Sequence, residues 1–227
     1  PTPVAAFTGR RLGASLTVVV TASHNPPRDN GYKVYLGGPT GGSQLVPPQD
    51  KEIANLITAI STKTTFQEIP KSEDFTLIGQ PEINQYLDRA KTLVSLDESE
   101  IAKRSALRIT HTALHGVGWN VVSPLLAAAG FKVLPVALQA EPDPQFPTVA
   151  FPNPEEKGAM DLSLAEATSN DSDIILANDP DADRLAVAVR SGDGYQMLTG
   201  DQVGLLLANQ LAPSSKAIAH SIVSADL

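Results

Sequence analysis

The sequence contains no cysteine, so neither a disulfide framework nor a thiol nucleophile is available, and a reducing, cytoplasmic setting fits that lack. Long apolar runs are missing as well. The longest, residues 121–131, is broken by Ser123 and Pro124 and falls far short of the roughly 20 residues of a membrane-spanning helix. Basic clusters are scarce: no Lys/Arg group stands out beyond Arg10-Arg11 and Lys103-Arg104. Seventeen basic residues face 25 acidic ones for a net charge of −8, so nucleic acid and membrane are not expected partners. There is no G-x-S-x-G elbow of a serine hydrolase. The chain opens on Pro1-Thr2-Pro3 without Met, carries nothing like a signal peptide, and closes on "AIAHSIVSADL", which reads as a strand just begun; it is expected to be cut from a longer polypeptide.

What remains is ample for a globular core. The 227 residues are 42% hydrophobic, enough for one large or two ordinary domains. Residues 16–46 read as short strands broken by Gly and Pro, and "PPQDKEIANLITAI" follows with Ile53, Leu56, Ile57 and Ile60 at helical spacing. Residues 61–79 read as a connection with room for a short strand, and a domain boundary is placed near Gly79. A helix is expected at "PEINQYLDRAKTLV", with Pro81 suited to its first turn. Then "LRITHTAL", "HGVG", "NVVSPLLAAAG" and "KVLPVA" give strand, turn, helix, strand, the pattern of a parallel sheet with right-handed crossovers. The proline-rich "EPDPQFPTVAFPNPEEKG" is expected to wrap the surface. The helix "DLSLAEATS", the strand "DIILAN", an acidic turn and the strand "RLAVAV" continue the alternation, and "LTGDQVGLLLANQLA" reads as a helix opening a third unit. The fold class is α/β.

Two loops carry chemistry. In "VVVTASHNPPRDNGYKVY" the β-branched run ends at a Ser23-His24 pair, because Pro26 and Pro27 cannot serve a central ladder. Asp29-Asn30-Gly31 supplies a turn before a second strand at Tyr32. A turn serine bonding its own backbone is the plain alternative for Ser23. A Ser-His dyad is not expected, since adjacent side chains in extended backbone point apart.

The second loop, "NDPDADR", sets Asp179, Asp181 and Asp183 at alternate positions between two apolar strands. Three carboxylates so close repel one another unless a cation sits among them. A solvated acidic turn is the alternative, but alternate spacing in a compact loop lets all three aim at one point. Oxygen ligands point to Mg²⁺ or Ca²⁺ and away from zinc. An EF-hand is rejected, because Arg184 and Arg190 stand where its glycine and final carboxylate belong. Mg²⁺ completes its shell with water or phosphate oxygens, so a phosphate is expected here, with Arg184 placed to grip it. A phosphorylated Ser23, with about −1.5 to −2 charges, would meet a cation held by the aspartates.

Together "TASHNPPRDNGYKVY" and "DPDADR" resemble the phosphoserine loop and the metal loop of the α-D-phosphohexomutases, most closely the phosphoglucomutase/phosphomannomutase branch; "TGDQVGLLLANQL" resembles the opening of that family's third domain. The resemblance implies four domains in the whole protein, with residues 1–79 the later part of the first, 80–194 the second and 195–227 the start of the third. It implies an isomerase that moves a phosphate between the C1 and C6 oxygens of a hexose through a bisphosphate. Ser23 would be the phosphoserine and, through its phosphate, a ligand of Mg²⁺ alongside Asp179, Asp181 and Asp183. Arg184 would contact the phosphate, Lys33 would transfer a proton or position the phosphate, and His24 would line the cleft. A phosphosugar is the implied partner. A phosphopentomutase, which shares both loops, and a non-catalytic module binding metal and phosphosugar are the competing readings. Elsewhere, "HGVG" before a helix is read as a structural turn over a weak anion site, Trp119 as packing, and His111 and His220 as strand residues that ligate no metal.

Overall fold

The computed structural model describes residues 1–215, 217–219 and 224. They divide into two compact units, one of Thr2–Ala22 with Asn30–Arg89, the other of Pro1, Ser23–Asp29 and Ala90–Leu227. The serine loop, framed in sequence by strands of the first unit, thus groups with the second.

In the first unit, helix α1 (Thr2–Arg11) packs on strand β1 (Leu16–Val20). Gly9 makes this approach possible, because a β-carbon there would lie 1.8 Å from Thr17 Oγ1. β1 pairs antiparallel with β2 (Tyr32–Leu36), Val18 opposite Val34, and β2 pairs with the short β3 (Ser43–Gln44). Beyond Val20 the chain leaves the ladder as the prolines require, and the Thr21 N–H donates to the Gly31 carbonyl at 3.0 Å, tying off the base of the excursion. Helix α2 (Gln49–Ser61) has the expected period, yet Leu56, Ile57 and Ile60 are exposed. Residues 62–79 hold a short 3₁₀ turn, Phe66–Glu68, capped by Thr65, and no strand. Helix α3 (Gln80–Lys91) has Pro81 in its first turn as expected, buries Leu87, and sets Tyr86 edge-on to Phe7 at 5.6 Å between centroids; Arg11 pairs with Glu82.

The second unit opens with a helix absent from the sequence reading, α4 (Glu98–Ser105), whose N-cap Asp97 accepts the Glu100 N–H at 3.0 Å. Then come β4 (Arg108–Thr112), α5 (Trp119–Ala128), β5 (Lys132–Pro135), α6 (Asp161–Ser169) and β6 (Ile174–Asn178), with β5 and β6 parallel to β4 on its two sides. β7 (Leu185–Ser191) returns antiparallel to β6, and β8 (Gly194–Met197) pairs with β7, giving the order β5-β4-β6-β7-β8. The fold is α/β with a mixed sheet. Its core joins Met160 and Ala167 to Ile175, Ala177, Ala186 and Ala188, with Leu164 and Tyr195 packed against them. Full burial of a residue such as Ile175 contributes about 1.5–3 kcal/mol.

The proline-rich segment does not simply wrap the surface, because Pro152, Asn153 and Pro154 are buried. Proline brings no N–H that burial would orphan, and Asn153 serves its own turn by accepting the Glu155 N–H at 3.2 Å. Helix α7 (Gly200–Leu211) follows, capped by Thr199 and Gln202, with Leu205, Leu206, Leu207 and Leu211 exposed. The strand expected toward the C-terminus, with His220, lies outside the described residues. No helix among the described residues is long and apolar enough to cross a membrane.

Candidate functional site

The aspartate loop joins β6 to β7, whose pairing ends at Asn178 opposite Leu185. It folds around its first carboxylate: Asp179 Oδ1 accepts the Asp183 N–H at 3.2 Å and the Arg184 N–H at 3.0 Å. Ala182 turns the chain with φ 59°, and its N–H donates to the Asp179 carbonyl at 2.9 Å. One carboxylate oxygen from each of Asp179, Asp181 and Asp183 lies within 4.8 Å of the others. The convergence comes from this compact turn, as expected of a short loop between two strands. Asp179 and Asp181 are buried and Asp183 is exposed.

Ser23 stands over the two buried carboxylates. Its hydroxyl lies 3.0 Å from Asp179 Oδ2 and 3.1 Å from Asp181 Oδ1, so one proton is shared between two acceptors. His24 Nδ1 is 3.3 Å from Ser23 Oγ and 3.9 Å from Asp179 Oδ2. The two side chains therefore do meet, against the expectation for neighbours in extended chain. Ser23 has φ 55°, and a left-handed residue breaks that alternation. Such backbone costs a non-glycine residue on the order of 1–3 kcal/mol and persists where surrounding contacts impose it. Phe151, from the proline-rich segment, meets the His24 ring edge-on with centroids 6.2 Å apart.

Burial, reinforced by the neighbouring Asp181 carboxyl, pushes Asp179 up to about 6; the Arg184 N–H and the Ser23 hydroxyl oppose that rise. Two buried carboxyl groups face one serine oxygen, and the Pro1 amino group stands close enough to Asp181 for their charges to interact. A third carboxylate at the exposed edge of the site completes a hard-oxygen donor set that fits Mg²⁺.

Arg184 is exposed, and its guanidinium makes no hydrogen bond or ion pair among the described residues, which leaves its donors open to an anion. Lys33 lies on β2 of the other unit, opposite Val19. A layer behind the loop was not legible as part of the site. Asn178 Nδ2 donates to the Arg184 carbonyl at 2.7 Å, while its Oδ1 accepts from His111 Nε2 at 2.9 Å. Burial pushes His111 below its ordinary pKa, so the neutral ring carries its proton on Nε2 and stacks on Trp119 at 5.5 Å. His111, a strand residue as expected, thus reaches the loop through Asn178. The period of "DIILAN" marks Asn178 as the end of a strand, but nothing in it marks the partner.

The chain is similar to known proteins along nearly its whole length. Residues 1–64 match the family model for phosphoglucomutase/phosphomannomutase α/β/α domain I, and residues 84–192 match that for domain II. A Haemophilus influenzae protein named "Probable phosphomannomutase" is 43% identical over 99% of this chain, and a Saccharomyces cerevisiae "Phosphoribomutase" is 38% identical over 91%. The chain spans 46% of the first relative and 35% of the second. A crystal structure of a phosphoglucomutase/phosphomannomutase family protein from Burkholderia thailandensis superposes with a TM-score of 0.71 at 25% identity, covering 94% of this chain and 43% of that one. Two successive domain models in family order, reinforced by relatives alike along nearly the whole chain, show that it belongs to the phosphoglucomutase/phosphomannomutase family of phosphohexomutases.

Proposed function

We propose that the chain carries the phosphoserine and metal-holding parts of a Mg²⁺-dependent mutase that interconverts hexose 1-phosphate and hexose 6-phosphate. Residues 1–79 would belong to its first domain, 80–194 to its second and 195–227 to its third. The observation that carries this reading is the Ser23 hydroxyl, 3.0 and 3.1 Å from the buried carboxylates of Asp179 and Asp181. A phosphate on that oxygen would be held where three carboxylates gather, and no cysteine or elbow serine offers another nucleophile.

In the proposed reaction a sugar hydroxyl attacks the phosphorus of phosphoserine 23. A P–O bond to the sugar forms, the P–Oγ bond breaks with its electron pair left on Oγ, and the hydroxyl proton passes to a base. The bisphosphate turns around and its other phosphate returns to Ser23. Asp179, Asp181 and Asp183 would hold Mg²⁺, which when bound supplies positive charge toward the phosphoryl oxygens. Arg184 would add a planar, charge-assisted grip on the same group. His24, 3.3 Å from Ser23 Oγ, would donate to a phosphate oxygen. Lys33 is assigned to proton transfer or phosphate positioning on the family resemblance. The left-handed Ser23 presents Oγ in a fixed direction, which favours in-line attack by reducing the orientations to be searched.

A second reading, a phosphopentomutase, is favoured by the 38% identity to the yeast phosphoribomutase. The hexose reading draws on the higher identity and fuller coverage of the Haemophilus relative. The full-length protein, assayed with glucose 1-phosphate, mannose 1-phosphate and ribose 1-phosphate, should show its highest kcat/KM on a hexose. A pentose preference would transfer the assignment to the second reading. No turnover of any of the three, together with no phosphate on Ser23, would refute both.

A further inference from the structure

The turn between β4 and α5 is held more tightly than a connecting turn requires. Leu114 and His115 are both left-handed, with φ 45° and 60°, and both are buried. A polar network fixes them there. The His115 N–H donates to the Gln139 carbonyl at 3.0 Å, and the His115 carbonyl accepts the Asp143 N–H at 2.9 Å. His115 Nε2 lies 2.7 Å from Thr148 Oγ1, which also accepts the Gln139 side-chain amide at 2.9 Å. Thr112 closes the network by donating to Gln139 Oε1 at 2.6 Å and accepting the Leu114 N–H at 3.0 Å.

This braced turn lies directly against the aspartate loop. The Val117 N–H donates to the Pro180 carbonyl at 2.8 Å. Proline has no N–H of its own, so that carbonyl is its sole main-chain hydrogen-bonding handle. A β-carbon on Gly116 would stand 2.2 Å from both the Cα and the carbonyl oxygen of Pro180 and 2.5 Å from its carbonyl carbon, all backbone atoms that cannot swing aside. One on Gly118 would come within 3.2 Å of the Ala182 β-carbon. Pro180 separates Asp179 from Asp181, and its displacement carries both buried carboxylates with it.

We propose that residues 113–118 are the template that sets the spacing of Asp179 and Asp181, with Gly116 a positioning residue for cation binding. This inference rests on the reading of the three aspartates as ligands of Mg²⁺. Mg²⁺ demands near-octahedral oxygens at about 2.0–2.1 Å, so a loop moved by a few tenths of an ångström loses affinity even where the fold survives. Gly116 touches no ligand atom and acts through Pro180.

The test measures Mg²⁺ affinity by calorimetry and melting temperature in EDTA for wild type, Gly116→Ala and Gly130→Ala. Gly130 belongs to the same unit, has φ +94°, and its β-carbon would crowd Ile101 at 3.0 Å, so Gly130→Ala reports the effect of general strain. Gly116→Ala is expected to weaken Mg²⁺ binding about ten- to a hundredfold, the range for residues that orient metal ligands, while Gly130→Ala lowers the melting temperature and leaves affinity unchanged. Wild-type affinity in Gly116→Ala, or an equal loss in both variants, overturns the proposal with the cation site intact. Absence of Mg²⁺ binding by wild type overturns the cation site and the proposal together. If Gly116→Ala fails to fold, amide exchange in wild type decides. Saturating Mg²⁺ should slow the Val117 amide together with those of Asp183 and Arg184, and slowing at 183 and 184 without slowing at 117 overturns the template.

Discussion

Asp179→Asn should stabilise the metal-free protein near neutral pH, although it removes a residue proposed to be essential. The substitution keeps the shape and the main acceptor. The Asn Oδ1 can still take the N–H groups of Asp183 and Arg184, and its amide can donate to Asp181 or Ser23, where Asp179 now stands 3.0 Å from the serine hydroxyl. What it removes is a buried charge. Asp179 rises from 3.8 to about 6 through burial first and the neighbouring Asp181 second, and at about 1.4 kcal/mol per pKa unit this amounts to about 3 kcal/mol. The folded state binds this proton more tightly than the unfolded state does. Below 3.8 both states are protonated and the residue is neutral in effect; as pH climbs to about 6 stability is lost, and above that the full penalty remains.

Urea denaturation in EDTA, followed by fluorescence, isolates the relevant unit, because the single tryptophan is Trp119 at the start of α5. The stability difference, variant minus wild type, should be about 2–3 kcal/mol more favourable near pH 8 than near pH 4. Groups that titrate alike in the two proteins cancel from this comparison, as does any constant effect of the amide. Saturating Mg²⁺ at the higher pH should reverse the order, since a ligand at a hundredfold its Kd adds about 2.7 kcal/mol to the protein that binds it. A difference in EDTA that is the same at both pH values would refute the argument that burial and the neighbouring Asp181 disfavour the Asp179 carboxylate. Equal stabilisation of both proteins by Mg²⁺ would refute its role as a ligand.

Three further outcomes follow from the same geometry. Ser23→Ala in the full-length protein should abolish phosphoenzyme formation from a hexose bisphosphate; phosphopeptide mapping that finds the label on another residue counts against the assignment. Thr148→Val should cost about 1–3 kcal/mol in urea, because His115 Nε2 and the Gln139 amide both lose the hydroxyl they share, and unchanged stability would show that the network does not brace the turn. The 227-residue chain, phosphorylated and supplied with Mg²⁺, should not turn over glucose 1-phosphate at the full-length rate, since orientation can supply about 7–11 kcal/mol and the chain spans less than half of its relatives; full-length turnover would show that its described loops suffice.

How legible all this is in the sequence depends on how locally each feature is encoded. β4, α5, β5 and β6 were readable because each carries β-branched or helically spaced apolar residues, with Gly118 and Gly130 setting off α5 even though Pro124 lies inside it. β8 was not, being four residues of "GYQM" whose pairing depends on β7. The stripe of α2 was readable and its exposure was not, since period reveals which residues share a face and says nothing of what covers it. The site divides in the same way. Serine and three aspartates announce phosphate and cation chemistry by residue type alone, whereas the left-handed turn at Ala182 that makes the carboxylates converge has no signature, because alanine does not favour that conformation. Gly116 is the extreme case. Its φ is not positive, so the usual reason for a glycine does not apply, and "HGVG" before a helix reads as an ordinary turn. The constraint is the backbone of Pro180, met only after β5 and β6 have been added to the sheet. A residue whose identity is dictated by close approach of a distant backbone carries no local pattern, and it is through such contacts that the fold holds the acidic loop in place.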